Sequence, residues 1–271
     1  MSFVWDQEVD MSGRLISTDG TPIAFDKLGK GPPVVIVGGI LGDRSQQGPL
    51  AELLSTKFTV FNYDRRGHGE SGNEEPYAIE REIEDLDTVF SEAGAPAFVY
   101  GTSGCAVLSL LAAAGGLAPK MKKLAIWEPP FFVDGTRPKL APDYLSRLES
   151  LLAEGRRREM VELFMSEAVG MPAEFVAQMH LAPWFPSQES LAHTLIYETT
   201  MMGDYSIPRT KIASIKVPTL VLDGGQTSWL TATANAIASI LPNAQRRTID
   251  GQPHNVDHNA MAPVLIEFFE G

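Results

Sequence analysis

Ser103 stands in Gly101-Thr102-Ser103-Gly104-Cys105, after the apolar run Phe98-Val99-Tyr100 and before a string of small and aliphatic residues that reaches Ala114. That order reads as strand, sharp turn and helix, with a hydroxyl at the corner. A serine so placed can act as a nucleophile, because the turn presents its oxygen and the Gly104 amide at the helix N-terminus can bind an oxyanion. The stretch departs from G-x-S-x-G at its last position, where Cys105 replaces glycine. Cysteine is a small hydrophobe and still fits a close helix-to-strand contact. Two other readings remain open: a Gly-Ser turn without chemistry, and a thiol nucleophile at Cys105, the chain's only cysteine. The thiol is the weaker of the two, since Ser103 holds the corner while Cys105 faces the packing.

A serine hydroxyl is a poor nucleophile until a base takes its proton, and imidazole is the side chain whose ordinary pKa lies nearest neutrality. Of five histidines, His254 in Gly251-Gln252-Pro253-His254 follows an expected strand and is the favoured base. His258 competes from just beyond it. His68 lies in a glycine-rich loop, and His180 and His193 fall in a helical stretch. Two carboxylates stand at strand ends: Glu128, in Trp127-Glu128-Pro129-Pro130, and Asp223, before Gly224-Gly225.

The elements that must position these groups alternate. Short strands are expected over residues 14–17 and 23–28, an antiparallel edge turned at Asp19-Gly20. Further strands cover 33–37, 58–63, 98–100, 122–127, 217–222 and 245–249. Residues 33–37, PVVIV, have the continuous β-branched character of a strand buried on both faces. Helices are expected over 50–55, 80–93, 106–114, 144–153, 159–168, 232–240 and 262–269. Strands alternating with helices imply an α/β fold with a mainly parallel sheet, whose ligands bind beyond the carboxyl ends of the strands. Gly38-Gly39, Ser103, Glu128, Asp223 and His254 all fall at such ends and should converge. Between 133 and 214 no strand pattern occurs. This divides the chain into a core, 1–132 with 215–271, and an inserted helical cap, 133–214. Residues 1–12 carry no pattern and are expected to be a loose extension without a secretory signal.

Composition sets the outer limits. A chain of 271 residues, 44% hydrophobic, can bury one large α/β core with an insertion. A net charge of -12 repels phosphate backbones and anionic membranes, so neither nucleic acid nor membrane is an expected partner. Arg156-Arg157-Arg158 reads as a solvated helix face. A single cysteine allows no internal disulfide and fits a cytoplasmic location, and no apolar run is long enough to span a bilayer. GTSGCA lacks the spacing of a dinucleotide-binding loop; no cofactor or metal is expected. Nothing in the sequence opposes a homodimer.

Taken together, VVIVGGILG, YDRRGHGESG, YGTSGCAVL, VPTLVLDGG and GQPH occur in the order found in the α/β-hydrolase superfamily, which the chain resembles over essentially its whole length. The resemblance implies an eight-stranded, mostly parallel sheet with a helical cap after the sixth strand. It implies Ser103 as nucleophile, His254 as base, and an oxyanion hole from the N–H groups of Ile40 and Gly104. His68, in RGHGES, is mostly structural in such proteins. In many relatives the acid follows the seventh strand, but that position is Thr227 here. Some members draw the acid from the end of the sixth strand, so Glu128 is expected, with Asp223 as the alternative. A serine elbow points to acyl transfer rather than to the dehalogenase or epoxide-hydrolase chemistry of relatives with an elbow aspartate. The expected substrate is a small apolar carboxylic ester or lactone, because a Ser-Gly elbow, the Glu-Pro segment and a tryptophan in mid-cap most resemble the zearalenone-type lactone hydrolases. Trp184, Trp127, Phe131 and Met202 are the expected substrate contacts. Alternatives on the same triad are C–C bond hydrolysis and a cofactor-free peroxidase reaction, and a further alternative is a non-catalytic ligand-binding protein of this fold.

Overall fold

The computed structural model describes residues 11–94, 96–133 and 135–271. The expected loose extension lies, up to residue 10, outside the described residues. The first half runs β1 (Met11–Ile16), β2 (Pro22–Leu28), β3 (Pro33–Val37), α1 (Gly48–Ser55), β4 (Thr59–Tyr63), α2 (Ile79–Ala93), β5 (Ala97–Thr102), α3 (Gly104–Ala112) and β6 (Met121–Trp127). Among the described residues six α-helices follow: α4 (Tyr144–Ala153), α5 (Arg157–Leu163), α6 (Ala173–Val176), α7 (Phe185–Ser190), α8 (Thr194–Met202) and α9 (Arg209–Ser214). The chain then closes with β7 (Thr219–Gly225), α10 (Ser228–Ile240), β8 (Ala244–Gln252) and α11 (His258–Glu270).

The strands form one eight-stranded sheet in the order β1-β2-β4-β3-β5-β6-β7-β8. β1 and β2 are antiparallel to their neighbours, and every pairing from β4 through β8 is parallel. Side-chain alternation explains the continuous apolar run of β3. Val35 and Val37 join Val99, Leu124 and Val221 under Leu86, Val107 and Ile237 of α2, α3 and α10. Val34 and Ile36 point the other way and join Phe98, Ala125 and Leu222 under Leu54, Leu265 and Phe269 of α1 and α11. Each fully buried aliphatic side chain of this kind contributes about 1.5–3 kcal/mol. The two apolar layers lock the central strands in register, which makes the carboxyl ends of β5 and β6 a rigid platform.

Between β6 and β7 the described residues form helices only. They gather a third apolar cluster of their own, in which Tyr144, Leu148, Met160, Phe164, Phe185 and Leu195 pack with Leu41 from the loop after β3. Several boundaries differ from expectation, two of them for local reasons that the contacts show. The helix expected over 159–168 begins at Arg157 and ends in a π-helical turn, Phe164–Val169, closed by Gly170 in a left-handed conformation. The last helix starts four residues earlier than expected because Asp257 caps it, accepting from Asn259 N at 2.9 Å. Among the described residues no helix is long and apolar enough to cross a membrane.

Candidate active site

Ser103 occupies the turn between β5 and α3 with φ 55° and ψ -129°. This is a sparsely populated backbone region that costs about 1–3 kcal/mol and persists only where the surroundings dictate it. They do so here. Ser103 N donates to Trp127 O at 2.8 Å, tying the corner to β6. Behind it, a Cβ on Gly101 would lie 2.5 Å from Ser109 Oγ and 2.7 Å from Cys105 O, so only glycine lets α3 settle this close to β5. Cys105, at the position of the missing glycine, is fully buried and its thiol donates to Gly38 O at 2.6 Å. Burial pushes that thiol up to about 12, despite the nearby Arg65 guanidinium, so it stays protonated at neutral pH.

The imidazole of His254 reaches this corner from the loop after β8. Its Nε2 lies 3.0 Å from Ser103 Oγ, and its Nδ1 lies 2.7 Å from Glu128 Oε2. A carboxylate can only accept, so Nδ1 carries the hydrogen and Nε2 turns its lone pair toward the serine hydroxyl. Glu128 directly follows β6 and is 1% exposed, with φ 44°. Its second oxygen, Oε1, accepts from Gly224 N at 3.0 Å. The β7 end therefore supplies a backbone N–H rather than an acid. Gly224 is required there, since a Cβ would lie 1.8 Å from Gln252 O. The indole of Trp127 donates to His254 O at 2.8 Å and holds the histidine loop over β6. Chemically, the arrangement is a hydroxyl, a base aimed at it, and a buried carboxylate that fixes the base's tautomer.

Asp223, the alternative acid, is committed elsewhere. It is fully buried, pairs with Arg246 at 2.7 Å and accepts from Thr231 Oγ1. Burial alone would raise its pKa, but the hydrogen bonds from Thr231, Thr248 and Arg246 hold it below the usual carboxylate range. The other histidines sit in other surroundings. His68 is buried with Nδ1 2.9 Å from Arg66 O, and burial, with Arg65 nearby, pushes it down to about 4. His193 faces Arg157 and His180 faces Arg158. His258 opens α11.

Gly104 and Ile40, the two expected oxyanion-hole residues, are adjacent: a Cβ on Gly104 would meet Ile40 Cδ1 at 2.6 Å. The four expected substrate contacts lie in different surroundings. Trp127, Phe131 and Met202 are 0%, 2% and 5% exposed and belong to the apolar cores, where aromatic and methionine side chains fill space between sheet and helices. Trp184 is 48% exposed, its ring tilted by 48° to that of Phe185 with centroids 6.1 Å apart. A cleft of about 670 Å³ is lined by Tyr77, Arg157, His193, Ile196 and Tyr197, among others, and by none of Ser103, Glu128 or His254. Among the described residues no three or more His, Cys, Asp or Glu side chains cluster as a metal site would require. Sequence reasoning missed the Gly224 amide and the Trp127 indole. The Gly224 contact is made by a backbone N–H, which leaves no mark in the sequence, and the Trp127 indole N–H is hidden because a tryptophan ending an apolar strand reads as packing.

Comparison with known proteins supports the fold. Residues 32–265 match the model of the alpha/beta hydrolase family. The chain superposes on the crystal structure of an alpha/beta hydrolase from Sphaerobacter thermophilus DSM 20745 with a TM-score of 0.90 and 53% identity, covering 95% of this chain and 100% of that one. It also superposes on a thermophilic esterase from Thermogutta terrifontis, with malate bound, with a TM-score of 0.71 and 21% identity over 96% and 97% of the two chains. At that identity the likeness is one of fold. A curated relative, an uncharacterised hydrolase YraK of Bacillus subtilis (strain 168), is 33% identical over 99 residues, which span 35% of this chain and 36% of that protein. With the eight-stranded sheet, the strained serine corner and a family match over most of its length, the chain belongs to the alpha/beta hydrolase family.

Proposed function

We propose that the protein is a serine hydrolase that cleaves a carboxylic ester or lactone through a Ser103-His254-Glu128 triad and an acyl-enzyme. The observation that carries this reading is the chain of contacts from Ser103 Oγ to His254 Nε2, 3.0 Å, and from His254 Nδ1 to Glu128 Oε2, 2.7 Å. In the first step Ser103 Oγ attacks the carbonyl carbon while His254 Nε2 takes its proton. Glu128, buried and held by Gly224 N, stabilises the imidazolium so formed. The carbonyl oxygen becomes an oxyanion beside the N–H groups of Gly104 and Ile40. Collapse of the tetrahedral intermediate expels the alkoxide, to which His254 returns the proton. Water, deprotonated by the same imidazole, then hydrolyses the acyl-serine. The helices between β6 and β7 act as a cap over this edge of the sheet. An apolar acyl or ring body is the substrate's other half, because the Ile40 side chain packs on Gly104 at the serine corner.

The reading is tested with Ser103→Ala, which removes the nucleophile and almost no buried surface. Hydrolysis of a p-nitrophenyl ester should fall by roughly 10⁴ to 10⁶ with the folding transition unchanged. A fluorophosphonate should label Ser103 in the unsubstituted protein. A folded Ser103→Ala variant with near-native turnover refutes the assignment. A panel of esters of graded chain length together with macrolactones tests the substrate class, and turnover of short acyl esters with refusal of every bulky lactone removes the lactone part.

A further inference from the structure

Glu198, on α8, is a carboxyl group for which the proposed triad has no use. It is 1% exposed. Its Oε1 accepts from Arg65 Nη1, whereas its Oε2 has no hydrogen-bond partner among the described residues. That free oxygen lies against the serine corner: a Cβ on Gly104 would sit 2.7 Å from Glu198 Oε2 and 2.6 Å from Ile40 Cδ1. Glycine at position 104 is what makes room for both. Glu198 therefore brings a polar atom of the helical segment up to the two residues assigned to the oxyanion.

We propose that Glu198 is a positioning residue of the serine corner: a neutral carboxyl, delivered by α8, that buttresses Gly104 and Ile40 and couples the seating of the helical segment to the shape of the oxyanion site. This rests on the serine-hydrolase reading above. The charge count around Arg65 leads to it. The guanidinium is buried and is gripped by Glu82 through Nε at 2.7 Å and Nη2 at 2.5 Å, and Tyr77 Oη adds a further donor to Glu82 at 2.9 Å. Glu82 thus takes the single positive charge. A second carboxylate in the same dry pocket would face Glu82 with no cation left and with one oxygen lacking any donor. Protonating Glu198 on Oε2 removes the second negative charge and leaves a neutral hydroxyl, which costs less to bury without a partner than a carboxylate oxygen does. The groups facing Glu198 are Arg65 after β4, Tyr77 and Glu82 from the α2 side, Cys105 of α3 and Tyr205 beyond α8. Burial raises Glu198, with Glu82 adding to it against the pull of Arg65, while Glu82 itself is held low by Arg65 despite its own burial.

Two variants and one spectrum test this. Glu198→Gln keeps the shape and neutrality of the group, and its kcat should stay within about threefold of the unsubstituted protein. Glu198→Ala leaves the corner unsupported and should lower kcat by about 10- to 100-fold with KM changed far less, the size expected when reacting groups shift by up to about an ångström. The unsubstituted protein should lose activity on the alkaline side as Glu198 ionises, and Glu198→Gln should lack that limb. At neutral pH an infrared difference spectrum should show the C=O stretch of a protonated carboxyl that disappears in Glu198→Gln. Native kcat in Glu198→Ala, a folded Glu198→Gln as impaired as the alanine variant, or the missing infrared band each overturns the proposal. Fluorophosphonate labelling of the unsubstituted protein separates the two readings: failure to label Ser103 refutes the serine mechanism, while the infrared band still decides the state of Glu198. If Glu198→Ala does not fold, the pH profile of Glu198→Gln and the spectrum decide.

Discussion

Replacing Glu128 by glutamine should be far more damaging than its near-isosteric size implies. Gly224 N donates to Oε1 of Glu128, so the glutamine carbonyl stays at that position and its NH₂ is turned toward His254 Nδ1. An NH₂ group cannot accept, and Nδ1 must then give up its hydrogen and become the acceptor. The imidazole proton moves to Nε2, which faces Ser103 Oγ at 3.0 Å, and the base is disabled before substrate arrives. The second loss is electrostatic. A carboxylate about 4 Å from the imidazolium charge is worth about 4 kcal/mol at an effective dielectric of about 20, or roughly a factor of 10³ in rate. Together with the wrong tautomer, the expected fall in kcat is about 10³–10⁴. Asp223→Asn is the control. It weakens the pair with Arg246, whose side chain is 21% exposed, and should cost about 1–3 kcal/mol of stability while kcat stays within about threefold. The assay is steady-state hydrolysis of a chromogenic ester, with urea unfolding of each variant to separate folding from chemistry. If Glu128→Gln keeps most of its kcat and Asp223→Asn loses several orders of magnitude, the acid is Asp223 and the tautomer argument is wrong.

Three further outcomes follow from the same contacts. Gly104→Ala places a Cβ 2.6 Å from Ile40 Cδ1 and 2.7 Å from Glu198 Oε2, so the corner must shift; kcat should drop about tenfold or more at a stability cost of about 1–3 kcal/mol, read from ester turnover and urea midpoints. His68 stays neutral in the folded protein down to about 4, whereas in the unfolded chain it takes up a proton below its ordinary pKa of about 6.5. The unfolded state binds more protons in that window, so stability should be complete above pH 6.5 and fall by up to about 3 kcal/mol toward pH 4. Denaturant titrations across that range should show a smaller loss in His68→Gln. The Cys105 thiol, buried and pushed up to about 12, should resist iodoacetamide in the native protein at neutral pH and react fully in urea, as followed by mass spectrometry; fast native alkylation would contradict its burial.

The features written in the sequence itself are those that local physics controls. A β-branched run such as PVVIV has few alternatives to a strand buried on both faces, and Gly101, Ser103 and Gly104 specify a tight corner because a side chain at either glycine would strike a neighbour. The alternation of strands and helices by itself puts Ser103, Glu128 and His254 at strand ends. Which carboxylate faces the histidine was another matter. Glu128 and Asp223 both end strands, and only the tertiary structure occupies Asp223 with Arg246 and Thr231 while leaving Glu128 to His254 and Gly224. The same holds for Trp127, Phe131 and Met202, whose apolar character suits a core as well as a pocket; the packing of β6 and the helices above it put them in the core. Glu198 had no legible signal, because a glutamate in a helix looks solvent-facing until Arg65, distant in sequence, is folded against it. Side-chain type and spacing are properties of neighbours along the chain, whereas the partner of a buried charge is chosen by whichever distant segment the sheet order brings within reach.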